Sequence, residues 1–276
     1  MINATGNRMT QEIQRQSRMA QQIAEKQIQI STGRRLQRAS DNPVATARVT
    51  DLARSQANDT ARAANINLGI TMTAQADGSL RQMSGLLARA KELTLVGANG
   101  ATSAADRGSI AIELTTIADE IDAMAAAKSA TGQPLFATGA NMPIRFDDNA
   151  TFAPVPTRAE AFDVAGVSIS QIIRDTAAAV TAGNAAQIGL SNTAVDSAIN
   201  HTADMAAAVG INAARLERIN DDRELRSISI RAERSALEDT DLSAAIAELN
   251  GMTLTLEAAQ AAFARINRRT LMDILN

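Results

Sequence analysis

At 276 residues, with 45% hydrophobic but only 2% aromatic side chains, the chain is long enough to bury a core made mostly of Ala, Ile, Leu and Val. That composition suits close helix packing and argues against aromatic-lined ligand pockets or base-stacking surfaces. A net charge of −3 gives no electrostatic case for nucleic acid, and the lack of cysteine excludes disulfides, thiol catalysis and thiolate metal sites. No apolar run reaches the length of a membrane-crossing helix, and the N-terminus lacks the apolar centre of a cleaved secretory signal. Glu12 and Glu25 in the first segment argue against an organellar transit peptide.

In chain order, the first segment carries a thin heptad seam. Ile2, Met9, Gln16, Ile23 and Ile30 form one row, and Gly6, Ile13, Ala20 and Gln27 form the second. Gln16 and Gln27 interrupt it with polar groups, so the helix depends on packing for its stability. Ser31-Thr32-Gly33 breaks the pattern, and the basic linker of Arg34, Arg35 and Arg38 follows. Ser40-Asp41-Asn42-Pro43 then reads as a helix start. Asn42 is a good N-cap, and Pro43 brings a pre-set φ to the first helical position.

From Pro43 to about Val96 nothing strong stops a helix, which would extend about 80 Å at 1.5 Å per residue. Gly69, Gly78 and Gly85 weaken it locally and predict a kink. Gly97-Ala98-Asn99-Gly100 turns the chain. Thr102 or Ser103 caps the next helix, with Asp106 favouring its first turn. Its stripe of Ile110, Leu114, Ile117, Ile121 and Met124 predicts an antiparallel hairpin with the preceding helix.

The pattern changes at Ser129. Four of the five prolines and four of the five phenylalanines fall between residues 130 and 165, which predicts a small β-rich insertion of two to four strands. Phe162, Val164, Val167 and Ile169 include the alternation of a strand with one buried face. Helix resumes near Ser170 and stops at Gly183-Asn184. From Asn192 a second long helix runs toward Leu237, and Glu238-Asp239-Thr240-Asp241 marks a turn.

The last segment, Asp241 to Asn276, is the most regular. Leu242, Ala245, Leu249, Met252, Leu256, Ala259, Phe263 and Ile266 step by three and four, an a/d seam containing one glycine, Gly251, and no proline. A terminal helix this long cannot bury its stripe alone, so the two terminal seams are expected to pair with each other or with neighbouring subunits. Met9, Ile13, Ile23 and Ile30, with Leu249, Met252, Leu256, Phe263 and Ile266, are the candidate assembly residues.

The expected fold is mainly α: an elongated rod of long antiparallel helices with coiled-coil termini and a small β-rich insertion. Its segments are 1–42 (coiled coil, disordered until assembly), 43–128 (helical hairpin), 129–169 (insertion), 170–240 (returning helices) and 241–276 (C-terminal coiled-coil helix). The chain ends are expected together at one end of the rod, with the insertion at the other.

Chemistry is not legible. His201, the only histidine, has no serine–carboxylate arrangement around it and reads as a packing or solvated side chain. Asp147-Asp148-Asn149 lacks the ligand spacing of a calcium loop and reads as a turn, while Asp119, Glu120 and Asp122 read as a wet helix face. Gly97 and Gly100 are too sparse for a phosphate loop, and Asn149-Ala150-Thr151 fits a glycosylation pattern. Neither an enzyme nor a cofactor or metal site is expected.

Three segments carry a family resemblance. Residues 28–43 (Ile-Gln-Ile-Ser-Thr-Gly-Arg-Arg-Leu-Gln-Arg-Ala-Ser-Asp-Asn-Pro) are similar to the N-terminal segment of bacterial flagellins and their relatives. Residues 91–100 resemble the helix end before that family's hairpin turn, and residues 235–250 its turn into the terminal helix. Ser40, Asp41, Asn42 and Pro43, with Glu238, Asp239 and Asp241, are the motif positions. Within the family, Gly132-Gln133-Pro134-Leu135-Phe136-Ala137, Val209 to Asn220 and the ending Leu271-Met272-Asp273-Ile274-Leu275 resemble the hook-associated branch more than filament subunits. Ile2 to Thr5, and Met272 and Ile274 where that branch usually has aromatics, depart from its pattern.

The resemblance implies a structural component joining hook to filament, exported unfolded by the flagellar type III apparatus to the extracellular flagellum. Its implied partners are further copies, other axial proteins (a hook-associated protein and flagellin) and an export chaperone, with no nucleic acid and no membrane insertion. A filament flagellin and a cytoplasmic coiled-coil adaptor are the alternatives.

Overall fold

The computed structural model describes the backbone of residues 2–129 and 131–275, and the side chains of residues 9–129 and 131–265. Seven helices and four short strands follow in chain order among these residues: α1 (Ile2–Thr32), α2 (Pro43–Gly97), α3 (Ala104–Ala125), β1 (Ile144–Asp147), β2 (Ala150–Phe152), α4 (Arg158–Phe162), β3 (Asp163–Val164), β4 (Val167–Ser168), α5 (Ile169–Ala182), α6 (Ala185–Glu238) and α7 (Leu242–Leu275). The fold is mainly α with a small β-rich insertion. Two compact units form: residues 1–57 with 227–276, and residues 58–226.

The core of the 58–226 unit comes from seams in α2 and α6. On α2, Ile66, Thr73, Leu80, Leu87 and Thr94 form one buried row, and Gly69, Ala76, Met83, Ala90 and Gly97 the other. Successive rows alternate steps of three and four, so both face one side of the helix. On α6, Ile188, Val195, Thr202, Val209 and Leu216 lie buried at intervals of seven. The expected α3 stripe of Ile110, Leu114, Ile117, Ile121 and Met124 is buried in the same core as Ile169, Ile172, Ile173, Ala177 and Val180 of α5. The buried threonines Thr73, Thr94, Thr176 and Thr202 donate to the carbonyls of Gly69, Ala90, Ile172 and Ala198 in their own helices. Their hydroxyls therefore add no unsatisfied polar group.

Local signals set the boundaries. Asn42 Oδ1 accepts the Ala45 N–H at 3.0 Å, with Pro43 as the first residue of α2. Asn42→Ala leaves that donor to water and should cost about 1 kcal/mol, read as a lower midpoint in denaturant unfolding. An unchanged midpoint would show that α2 does not depend on this cap. Ser103 caps α3, accepting the Asp106 N–H at 3.1 Å.

Three expectations are corrected. The second long helix starts at Ala185 and not at Asn192, because Asn184 Oδ1 accepts from Ala186 N and Gln187 N at 3.1 and 3.2 Å and so caps it early. The strand read across Phe162–Ile169 is a two-residue hairpin instead. Phe162 ends α4, Ile169 begins α5, and Ala165 and Gly166 take positive φ of 51° and 82° between β3 and β4. α2 continues as one hydrogen-bonded helix through Gly69, Gly78 and Gly85. At Gly69 the missing Cβ has a packing reason, since it would lie 2.8 Å from Phe146 Cε1 and 3.0 Å from Leu216 Cδ1.

The third correction concerns the insertion, whose β1–β2 hairpin does not sit at the end of its unit marked by the helix turns. Gly97 meets Val180, and Arg107 stacks beside Gly183, so the 97–103 and 183–184 turns share one end. The β1–β2 hairpin lies elsewhere, with Phe146 packed between Ile66 and Leu216. Arg62 of α2 pairs with Asp147 and Asp148 at 3.0 and 2.6 Å, and Arg226 of α6 with Asp147 at 2.7 Å. The Asp147-Asp148-Asn149 turn is thus an ion-paired brace, and among the described residues no His, Cys, Asp and Glu group is arranged to hold a metal.

The Arg226 guanidinium, against the opposing effect of burial, holds the Asp147 carboxyl below its ordinary value. A depressed folded-state value means the brace is fully formed above about pH 4 and is lost as pH falls through that lower value. Asp147→Asn should lower stability at neutral pH, where the brace is formed, and flatten the acid limb of a stability–pH profile, since no carboxyl is left there to protonate. A parallel acid limb in the variant would rule out this carboxyl as its source.

Candidate assembly surface

The terminal unit is organised around a corner. Gly33 ends α1 with φ of 67°, a left-handed turn that costs glycine nothing. From there the linker runs beside the end of α6: Arg35 N donates to Glu238 O at 2.7 Å, and Thr240 N to Gly33 O at 2.9 Å. Arg35 Nη2 also reaches the carbonyls of Ala236 and Leu237 at 3.3 and 3.1 Å. A cation there satisfies last-turn acceptors and faces the negative end of the helix dipole. Arg35 is therefore used within the chain, while the Arg34 and Arg38 side chains stay exposed.

The motif residues hold this corner. Asp41 Oδ2 accepts the N–H groups of Gln37 and Arg38 at 3.1 and 2.8 Å, which shapes the linker. Asp241 Oδ1 caps α7 by accepting Ala244 N–H at 3.1 Å. Glu238 takes Arg234 Nε at 2.8 Å, and Arg234 also donates to Gln56 at 3.0 Å. Ser235 donates its hydroxyl to Asp239, and Arg48 grips Glu233 through two bonds of 2.6 and 2.9 Å. Ser40 is exposed and makes no such bond among the described residues. Sequence reasoning missed Arg35, Arg48 and Arg234, since a cation's use as a cap or clamp depends on distant chain segments.

α1 and α7 pack against each other in this unit. On α7 the less exposed residues are Ala245, Leu249, Met252, Leu256, Ala259 and Phe263, while Leu242 is exposed. On α1 they include Gln16, Met19, Ile23, Lys26 and Ile30. Ile23 and Ile30 thus lie in the expected row, but the second row holds Met19 and Lys26 where Ala20 and Gln27 were expected. Lys26 Nζ reaches Glu248 of α7 at 2.6 Å. Met9 and Ile13 are exposed, Ile13 by 52%. Ile2, Gly6, Ile266 and the Leu271–Leu275 ending lie outside the described side chains.

A second set of apolar side chains stays in solvent. Ile13 and Ile28 on α1, and Leu242, Ile246 and Leu254 on α7, are all exposed, Leu254 by 69%. Single exposed apolar residues are ordinary, and others stand exposed on the rest of the chain, among them Val44, Ile112, Leu190 and Ile211.

The single histidine has a structural contact. His201 Nε2 lies 2.8 Å from the Glu160 carbonyl, a packing bond between α6 and α4. Glu160 is held in a capping box by the Thr157 N–H at 2.7 Å, which keeps its carboxyl below the ordinary range. No described helix is long and apolar enough to cross a membrane.

A helical chain whose described ion pairs and caps brace long helices, and which carries exposed apolar residues on a terminal helix pair, fits the class of structural assembly proteins. Residues 3–140 match the bacterial flagellin N-terminal helical region, and residues 192–275 match the bacterial flagellin C-terminal helical region. The chain belongs to the bacterial flagellin family. As such it is a structural protein of the flagellar axis, not an enzyme.

Curated relatives include the flagellin of Listeria monocytogenes, 24% identical over 261 residues that span 91% of this chain and 90% of that one. The flagellar filament 30.7 kDa core protein of Treponema maltophilum is 25% identical over 255 residues, 86% of each chain. The fold is similar to a putative flagellar hook-associated protein from Vibrio parahaemolyticus, with TM-score 0.65 at 18% identity over 72% of this chain and 100% of that one. It is also similar to FlgL of Xanthomonas campestris, with TM-score 0.59 at 15% identity over 67% of this chain and 99% of that one.

Proposed function

We propose that this chain joins the flagellar hook to the filament. The observation that carries the reading is fold coverage: the hook-associated chains are matched over essentially their whole length. The Leu135-Phe136 segment that resembles the same branch is buried in the core, with Phe136 edge-on to Phe162 at 4.9 Å. A filament flagellin is the second reading, favoured by the near full-length likeness to the Listeria flagellin.

In the proposed mechanism the chain is exported through the flagellar type III apparatus, escorted by an export chaperone, and works outside the cell. Segments 1–42 and 241–276 order on assembly, 43–128 and 170–240 form the helical body, and 129–169 is the insertion. Within each copy, Ile23 and Ile30 of α1 and Leu249, Met252, Leu256 and Phe263 of α7 belong to the faces that the two helices turn toward each other. The exposed Met9 and Ile13, with Ile28, Leu242, Ile246 and Leu254, meet neighbouring copies or other axial proteins. Burying those faces offsets the entropy of ordering the two ends.

Electron microscopy of cells lacking the gene tests the reading. Bare hooks with filament flagellin released into the medium are expected. Filaments still attached to hooks would overturn it, and bare hooks with no flagellin in the medium would favour the filament-subunit reading.

A further inference from the structure

The turn between α2 and α3 contains Asn99-Gly100, with both residues exposed. Asn99 Oδ1 accepts the Ala101 N–H at 3.1 Å, so the side-chain amide folds back over the peptide that follows it. Its carbonyl oxygen is already hydrogen-bonded, and a donor at that position stabilises negative charge that develops on the oxygen. Among the described residues the Gly100 N–H has no acceptor, and nothing lies within 4 Å of where a Cβ would be. An electrophilic carbon, a donor on its oxygen, and a free, unshielded backbone nitrogen thus sit within one turn.

We propose that Asn99 is a site of spontaneous deamidation through a cyclic imide. The Gly100 nitrogen gives its proton to a solvent base and attacks Asn99 Cγ. The bond from Cγ to the side-chain nitrogen breaks, and ammonia leaves with the proton it needs from solvent. Water then opens the five-membered ring at either carbonyl, leaving an aspartyl or isoaspartyl residue. No oxidant or reductant enters, and each event adds one negative charge. The aspartyl product still accepts from Ala101. The isoaspartyl product inserts a methylene into the main chain of a turn that the Thr102 N–H to Asn99 O bond of 3.0 Å now closes. The other Asn-Gly pair, Asn250-Gly251, lies inside α7, where helical geometry holds the backbone nitrogen in the helix ladder.

The test follows the full chain, folded and urea-unfolded, at mildly alkaline pH, and reads the tryptic peptide Glu92–Arg107 by mass spectrometry for acid and isoaspartyl forms. Because the turn needs no opening to react, the folded rate should lie within about tenfold of the unfolded one. A folded rate slower than that would show that the turn protects Asn99 and would overturn the proposal. Gly100→Ala has room for its methyl group, keeps the helices by circular dichroism, and should slow the reaction several-fold by obstructing the nitrogen. An unchanged rate in that variant would overturn the proposed nucleophile.

Discussion

Leu256→Asp should remove the chain from assembled flagella while leaving the unfolding of the 58–226 unit unchanged. Leu256 is half-buried in the middle of the α7 row that packs with α1. A carboxylate placed there loses water without gaining a partner, and a penalty of about 1.4 kcal/mol per copy already means a tenfold loss of incorporation. No residue of this row belongs to the 58–226 unit. Its thermal transition, followed by circular dichroism, should therefore stay in place, whereas Leu114→Asp in the fully buried α3 stripe should abolish it. The paired readout is the melting curve of the purified chain and the amount of protein on sheared flagella. Normal incorporation of Leu256→Asp would show that the row is not part of an assembly contact. Loss of the main transition would place α7 in the same cooperative core.

The second large effect concerns the hairpin socket on α2. Phe146 is fully buried, its ring centroid 4.8 Å from that of Phe152, and Phe146→Ala should cost about 3–5 kcal/mol by transfer and cavity terms together. The glycine facing it supplies a sharper test, because two effects of opposite sign compete there. Glycine to alanine inside a helix gains about 1 kcal/mol of propensity. At Gly69 the new methyl would lie 2.8 Å from the Phe146 ring, and such overpacking costs about 1–3 kcal/mol, so the net effect should be destabilising. At Gly78 nothing lies within 4 Å, and the same substitution should stabilise by about 1 kcal/mol. Denaturant midpoints decide the signs. If Gly69→Ala stabilises as Gly78→Ala does, the close approach of hairpin and helix is absent in solution. Combining Gly69→Ala with Phe146→Leu should recover part of the loss, since residues in contact do not add independently.

Much of the helical order could be read from residue spacing alone. The stripe from Ile110 to Met124, the α7 row from Ala245 to Phe263 and the Asn42 and Ser103 caps depend on positions three or four apart in one helix. Those positions are neighbours whatever the rest of the chain does. The turn at Asp147-Asp148-Asn149 was equally plain as a turn. Its role as a brace was not, because Arg62 and Arg226 come from helices 85 and 79 residues away. The same separation hid Arg35, whose guanidinium caps carbonyls 201 and 202 residues along the chain.

The sequence by itself determined that this protein is helical, that its ends carry heptad seams, that proline and phenylalanine confine the strands to one insertion, and which family its motifs resemble. These are properties of composition and local period. Only the tertiary structure decided which side of α1 meets α7. Rows at Ile13–Ala20–Gln27 and at Met19–Lys26 flank Gln16–Ile23–Ile30 equally well, and the choice between them is a rotation of the whole helix. Heptad spacing leaves that rotation free, and the packed pair, with Lys26 on Glu248, selects it. The structure also decided where the insertion docks, because a glycine that weakens an isolated helix becomes a socket only when Phe146 arrives from elsewhere in the chain.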